Sequence, residues 1–158
     1  MKIIREKKHR LQKHLYQGEK TVSFVSCIKK RNKVFVDKNI FNEFENILLE
    51  EVTKFKCQAL IYLFMPDHLH LLLQGEEQNS DVIKTMDMFK QKTGFWFYQN
   101  KNHIKWQKDY YDHIIRNDED LKEHIYYILY NPVRAGIVSN WKDYEFKGSS
   151  VYNFDEWE

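Results

Sequence analysis

The feature that most constrains this chain lies at residues 57–74, which read CQALIYLFM, then Pro66-Asp67, then HLHLLLQ. A short apolar run of this length reads as a buried strand. Proline offers no N–H to a ladder, and Pro-Asp suits a turn, so Pro66 stops the run. The two segments therefore read as strands joined in a hairpin. Along a strand, successive side chains point to opposite faces. Leu69, Leu71 and Leu73 share one face, and His68, His70 and Leu72 share the other. Three leucines require a core, so the two imidazoles project together from the opposite side. That spacing lets them clamp one metal ion, since imidazole is a common metal ligand. By itself, a His-x-His in a chain with seven histidines also fits an incidental pairing.

The rest of the chain supplies partners for this hairpin. Residues 21–28 (TVSFVSCI) are rich in β-branched and aromatic residues and predict a strand. Asp37 can cap a helix over 39–55, where Ile40, Phe41, Phe44, Ile47, Leu48 and Val52 recur at helical spacing. Ser80 can cap a second helix over 81–98, with Ile83, Met86, Phe89 and Phe97 facing inward. Residues 110–116 (YYDHIIR) predict a strand. Asn117 can cap a last helix over 118–130, with Asp120 placed as in a capping box. Asn131-Pro132 ends it, because the residue before proline disfavours helical torsions. The order predicts an α+β fold, a ferredoxin-like β-α-β-β-α-β sandwich with a mostly antiparallel sheet. An extra C-terminal helix carries Tyr127. Helices on one sheet face would leave the other free for a ligand or for dimerisation.

At 158 residues the chain suits one domain, 1–158, with a basic segment over 1–20 and a core over 21–141. No apolar run is long enough to span a membrane, and the basic start lacks the apolar stretch of a signal peptide. Cys27 and Cys57 are the only cysteines, which argues against a disulfide framework or a cysteine zinc site and for a cytoplasmic protein. Residues 1–33 hold eleven Lys/Arg against two Glu, whereas the net charge is +2, so the remainder sits at −7. Such a basic start can act as an arm for phosphates, or can simply be solvated.

The last predicted helix has Leu121, Ile125, Ile128 and Leu129 as its apolar face. Tyr127 lies off that face. Asn131, four residues on, and His124, three before, are its neighbours on the helix surface. A tyrosine on a helix flank is most often an amphipathic packing residue.

Two ordered blocks sharpen the reading. Residues 65–73 (MPDHLHLLL) resemble the HUH signature of single-tyrosine transposases. Residues 127–136 (YILYNPVRAG) resemble the Tyr-Ile-x-x-Asn-Pro-Val-x-x-Gly block of the REP-associated branch of that family. Between them Trp106-Gln107 and residues 111–117 (YDHIIRN) also resemble that branch, in the same order. The resemblance implies a ferredoxin-like fold and Tyr127 as nucleophile. It further implies Mg²⁺ or Mn²⁺ held by His68, His70 and Asn131. Other branches carry glutamine where this chain has the shorter Asn131. Tyr126 is the alternative nucleophile, though it is not four residues from Asn131. A tyrosine with its ordinary pKa near 10 needs activation, and His124 is placed to help.

The resemblance also implies the reaction: metal-dependent nicking and joining of single-stranded DNA beside hairpins, through a 5′-phosphotyrosine, with a homodimer left open. Contacts to DNA are expected from Lys2, Arg5, Lys7, Lys8, Arg10, Lys13, Arg116 and Arg134. Stacking is expected from the aromatic set Phe95, Trp96, Phe97, Tyr98 and Trp106, at least half of which must be core. His113 and Arg116, three apart on a strand, should face opposite sides. The rivals are a silent DNA-binding protein on the same fold and a water-using metal hydrolase, which would not need Tyr127. An RNA-recognition motif shares the fold, but its signature is missing here.

Overall fold

The structure is a computed structural model that describes residues 11–116 and 119–158. Its elements are β1 (Thr21–Cys27), α1 (Lys38–Lys54), β2 (Cys57–Met65), β3 (His68–Gly75), α2 (Val82–Asn100), β4 (Tyr111–Ile114), α3 (Leu121–Leu129), α4 (Asn131–Arg134) and β5 (Lys147–Gly148). The five strands form one antiparallel sheet in the order β4-β1-β3-β2-β5. The first four strands reproduce the predicted ferredoxin-like order, and the short β5 adds an edge that the sequence pattern does not show. Among the described residues no helix is long and apolar enough to cross a membrane.

The 57–74 hairpin forms as its pattern requires. β2 and β3 pair from Cys57 opposite Gly75 to Met65 opposite His68, with an irregularity between Ala59 and Ile61. That bulge resets the alternation along β2, so Leu60, Ile61, Leu63 and Met65 join one cluster while Ala59, Tyr62 and Phe64 join the other. Both faces of β2 are buried, which is why its sequence is apolar without interruption.

The larger core lies between the sheet and α1 and α2. Leu69, Leu71 and Leu73 are fully buried in it, with Phe44, Phe64, Phe89 and Phe97. Asp37 caps α1, accepting from the Asn39 N–H at 2.9 Å. The cap of α2 is Asp81, which accepts from the Lys84 N–H at 2.9 Å. Ser80 does other work: its Oγ accepts from the Glu76 and Glu77 N–H groups and donates to Lys56 O, tying the β3–α2 connection to the end of α1. The expected Asn117 cap lies outside the described residues. Asp120 fills that role for α3, accepting from the Glu123 N–H at 3.2 Å.

The second sheet face is not left free, as helices on one side alone would leave it. α3 lays Ile125, Ile128 and Leu129 on it, against Leu63 and Leu72. Trp141, Tyr144 and Phe154 complete this smaller core. Packed residues thus run from Tyr16 to Phe154, beyond both ends of the expected 21–141 core. Tyr16 joins the larger core and Phe154 the smaller one.

Candidate active site

His68 and His70 project from β3 onto the second sheet face, beside Leu72. Their strand neighbours are Cys27 and Val25 on β1 and Met65 and Leu63 on β2. All four neighbours are buried, so the imidazoles stand in an apolar rim. The two Nε2 atoms face each other at 3.2 Å. His68 Nδ1 meets Asp67 Oδ1 at 2.7 Å, and Asp67 Oδ2 accepts from Arg31 Nε at 2.9 Å. Opposite an ionised carboxylate, Nδ1 carries the proton. That leaves His68 Nε2 as a lone pair aimed at His70.

Electrostatics supports the neutral form of both rings. Burial pushes His68 down, and Arg31 adds to this, while Asp67 opposes it. Burial also pushes His70 down, to about 3, helped by His68 and Arg134. Burial would raise Asp67, but the hydrogen bonds from Arg31 and His68 outweigh it and hold the carboxyl below its ordinary value. A neutral imidazole can offer its lone pair to a cation at neutral pH.

Tyr127 lies off the buried face of α3 and is 63% exposed. Pro132 cannot donate to the helical ladder, so α3 stops at Leu129 and α4 restarts at Asn131. The Tyr130 N–H still bonds Tyr126 O at 2.9 Å, and the Arg134 N–H bonds Tyr130 O at 2.9 Å, so the chain continues past the break in helical form. This places Arg134 over Tyr127: the guanidinium carbon is 4.0 Å from the ring centroid, and Nη2 donates to Tyr127 O at 2.6 Å. The same guanidinium charge also disfavours protonation of His70. Tyr126, one residue away, is engaged otherwise. Its hydroxyl donates to Glu158 O at 2.7 Å, and its ring packs on Trp141 and Trp157.

Asn131 begins α4. Its Nδ2 is buried with no hydrogen-bond partner among the described residues. An orphaned amide end costs about 1–3 kcal/mol, and rotation by half a turn would aim the amide oxygen at the same place. Among the described residues no three His, Cys, Asp or Glu side chains group around a metal position. A metal would therefore need the Asn131 amide beside the two imidazoles. Two neutral imidazoles, with His70 Nε2–H free to shift its proton to Nδ1, and an unsatisfied amide are donor types that suit a divalent cation.

The other expected site residues are dispersed. Trp106, expected to stack on DNA, is a core residue: it is buried among Phe35, Phe44 and Phe97, and its Nε1 donates to Thr93 Oγ1 at 2.8 Å. Phe97 is likewise core and Trp96 packs against it, while Phe95 and Tyr98 are exposed and stack on each other. Lys13 lies beside Gln17 and Asp81, at the sheet end opposite the histidines. Arg116 is exposed at the approach to α3, and its backbone N–H donates to Glu119. Lys2, Arg5, Lys7, Lys8 and Arg10 lie outside the described residues.

His124 is held rather than free, its Nε2 being 2.8 Å from Glu119 Oε2, the carboxylate that also meets His113 at 3.1 Å. The Arg116 N–H, His113 and His124 hold Glu119 down at about 2. The contacts that sequence reasoning missed are those of Arg31 and His68 with Asp67 and of His113 and His124 with Glu119. Adjacency to His68 signalled Asp67. No pattern signalled Arg31, because its approach depends on the fold.

Comparison with known proteins decides the family. The family profile described as "Transposase IS200 like" matches residues 6–131, from the basic start to Asn131. This chain belongs to that family. It is 30% identical over 138 residues to a curated Haemophilus influenzae protein described as a REP-associated tyrosine transposase, covering 78% of this chain and 76% of that one. It is 30% identical over 86 residues to the Escherichia coli K12 REP-associated tyrosine transposase, covering 54% of this chain and 50% of that one. A solved REP-associated tyrosine transposase bound to a REP hairpin superposes with a TM-score of 0.68 at 22% identity. The match covers 89% of this chain and 81% of that one. A Deinococcus radiodurans R1 protein described as a transposase gives 0.52 at 19% identity, covering 77% and 95%. At these identities the two structural likenesses speak for the fold.

Proposed function

We propose that this transposase nicks and rejoins single-stranded DNA beside hairpins, with Tyr127 as nucleophile. One observation carries the reading. The His68 and His70 Nε2 atoms meet on the sheet face that α3 covers, and α3 itself carries the exposed Tyr127 beneath Arg134. The hairpin partner is supported by the structural neighbour bound to a REP hairpin.

The phenol oxygen of Tyr127 attacks a backbone phosphorus and gives up its proton. The bond from phosphorus to the 3′-oxygen breaks, that oxygen takes up a proton, and the 5′-phosphate remains on the tyrosine. The covalent link retains the phosphodiester's reactivity, so attack by a second 3′-hydroxyl reverses the step and joins strands. Arg134 stands where a guanidinium can pair with the phosphate beside the phenol. A Mg²⁺ or Mn²⁺ ion bound by His68, His70 and Asn131 would polarise a phosphate oxygen and offset charge in the transition state. Asp67 keeps His68 turned with its Nε2 toward His70.

The test is a denaturing protein gel after incubation with end-labelled single-stranded hairpin DNA and Mn²⁺. The reading expects a DNA-linked protein band that is lost with EDTA and with Tyr127→Phe. Intact DNA binding with no linked band under any condition would leave a silent binding protein instead.

A further inference from the structure

The segment between β1 and α1 contains a five-residue excursion, Lys29, Lys30, Arg31, Asn32 and Lys33, with four cations and no acid. All five residues are exposed. The excursion is tied at both ends to the turn that precedes His68. On one side the Ile28 N–H donates to Asp67 O at 2.9 Å. On the other the Val34 and Phe35 N–H groups donate to Pro66 O at 2.7 and 3.0 Å. Its flank is braced by residues 105–107, where the Lys29 N–H donates to Lys105 O and the Gln107 N–H donates to Cys27 O, both at 2.8 Å. This brings a fifth cation, the exposed Lys105, to the same place.

Two observations separate this loop from an ordinary solvated charge run. Lys30 and Arg31 are consecutive non-glycine residues at positive φ, 63° and 54°, a conformation side-chain-bearing residues rarely adopt. Glycine would relieve it, yet the chain keeps cations there. Among the described residues Lys29, Lys30, Lys33 and Lys105 have no carboxylate partner. Arg31 alone is paired, with Asp67. Like charges crowded into one loop repel each other, and an anion is what relieves that repulsion.

We infer that the 29–33 loop and Lys105 form the surface that holds the backbone phosphates of the DNA strand flanking the His68/His70 site. The inference rests on the proposed action at that site. A phosphodiester placed there has phosphates on either side along its strand. Lysines with no carboxylate partner among the described residues stand on the loop that is bonded to the turn before His68. Arg31 has a separate duty on Asp67, so the phosphate contacts fall to Lys29, Lys30, Lys33 and Lys105. These contacts are sequence-independent and govern affinity and register rather than base choice.

The test compares Lys29→Ala/Lys30→Gly/Lys33→Ala with wild type, using a fluorescent hairpin oligonucleotide carrying a single-stranded extension. Binding is measured in EDTA across a salt series, so neither metal nor covalent chemistry enters. Glycine at position 30 accepts the positive φ, so the variant keeps its fold, checked by its unfolding midpoint. Each lost single-strand phosphate contact flattens the slope of log K against log salt by about 0.7. The loop variant is expected to flatten it by about 2. The charge-matched Lys54→Ala/Lys56→Gly/Lys84→Ala variant, at the far end of the sheet, is expected to leave it unchanged. An unchanged slope in the loop variant, or equal flattening in both, would overturn the inference. A missing covalent adduct with the loop effect present would instead remove only the nicking reading.

Discussion

Replacing Asp67 by Asn should impair metal binding while sparing the fold and DNA binding. Asp67 accepts from His68 Nδ1 at 2.7 Å and from Arg31 Nε at 2.9 Å, with a side chain 23% exposed. Asparagine has the same shape, but one oxygen becomes an NH₂ group, so it can accept from only one of the two donors. If its oxygen stays with Arg31, the NH₂ faces His68 Nδ1, which must then accept. The His68 proton moves to Nε2, the atom facing His70 at 3.2 Å, and the lone pair needed for a cation is lost. Changes to the groups that orient metal-bound histidines cost about 10–100-fold in affinity, or about 1.4–2.8 kcal/mol. Arg31 is 40% exposed, so losing its ion pair adds little. The assay is Mn²⁺ binding to metal-free protein by calorimetry, with ¹⁵N imidazole shifts reporting the His68 tautomer. Unchanged Mn²⁺ affinity together with a His68 proton moved to Nε2 would refute the reasoning.

Further expectations concern the frame and the site. Thr93→Val removes the acceptor of the buried Trp106 N–H and should cost about 1–3 kcal/mol, a melting shift of roughly 2–12 °C, without changing hairpin affinity of the folded protein. A Cβ at Gly75 would collide with Gly18 O and come within 2.8 Å of Ser80 Cβ, so Gly75→Ala should destabilise by about 1–3 kcal/mol in a urea titration. His70 is held at about 3 in the fold against an ordinary value of 6.5. Its contribution to stability is therefore present above pH 6.5 and lost as pH falls toward 3. Imidazole NMR should show His70 neutral at pH 5, and a protonated ring there would contradict the packing around it.

Much of the frame was legible because local rules and tertiary packing agree in it. The 57–74 hairpin carries its own turn and alternation, and the α1 and α2 stripes match the buried residues Ile40, Phe44, Leu48, Met86 and Phe89. Where the sequence misled, a longer-range contact decided. Trp106 is expected to stack on DNA, in an aromatic set whose core members the sequence alone does not pick out, until α2 supplies Thr93 and the phenylalanine cluster. The second face reads as open because nothing local shows that Trp141, Tyr144 and Phe154 return to cover β2. Asp81 took the cap from Ser80 because Lys56, Glu76 and Glu77 engage the serine hydroxyl. In the candidate site, the shared strand face of His68 and His70 and the place of Tyr127 off the buried face of α3 were legible from period. Arg31 was not, since a residue 36 positions before Asp67 reaches it only through the β1–β3 register and the positive φ of its loop.

The central claim is that the chain forms a covalent bond to DNA through one tyrosine. The most direct measurement is mass spectrometry of proteolysed protein after reaction with single-stranded hairpin DNA and Mn²⁺, locating the nucleotide-bearing residue. The account predicts the modification on Tyr127, which is 63% exposed and lies beneath Arg134. Modification on Tyr126, whose hydroxyl is bonded to Glu158 O, or on no tyrosine while DNA is cut, would contradict it.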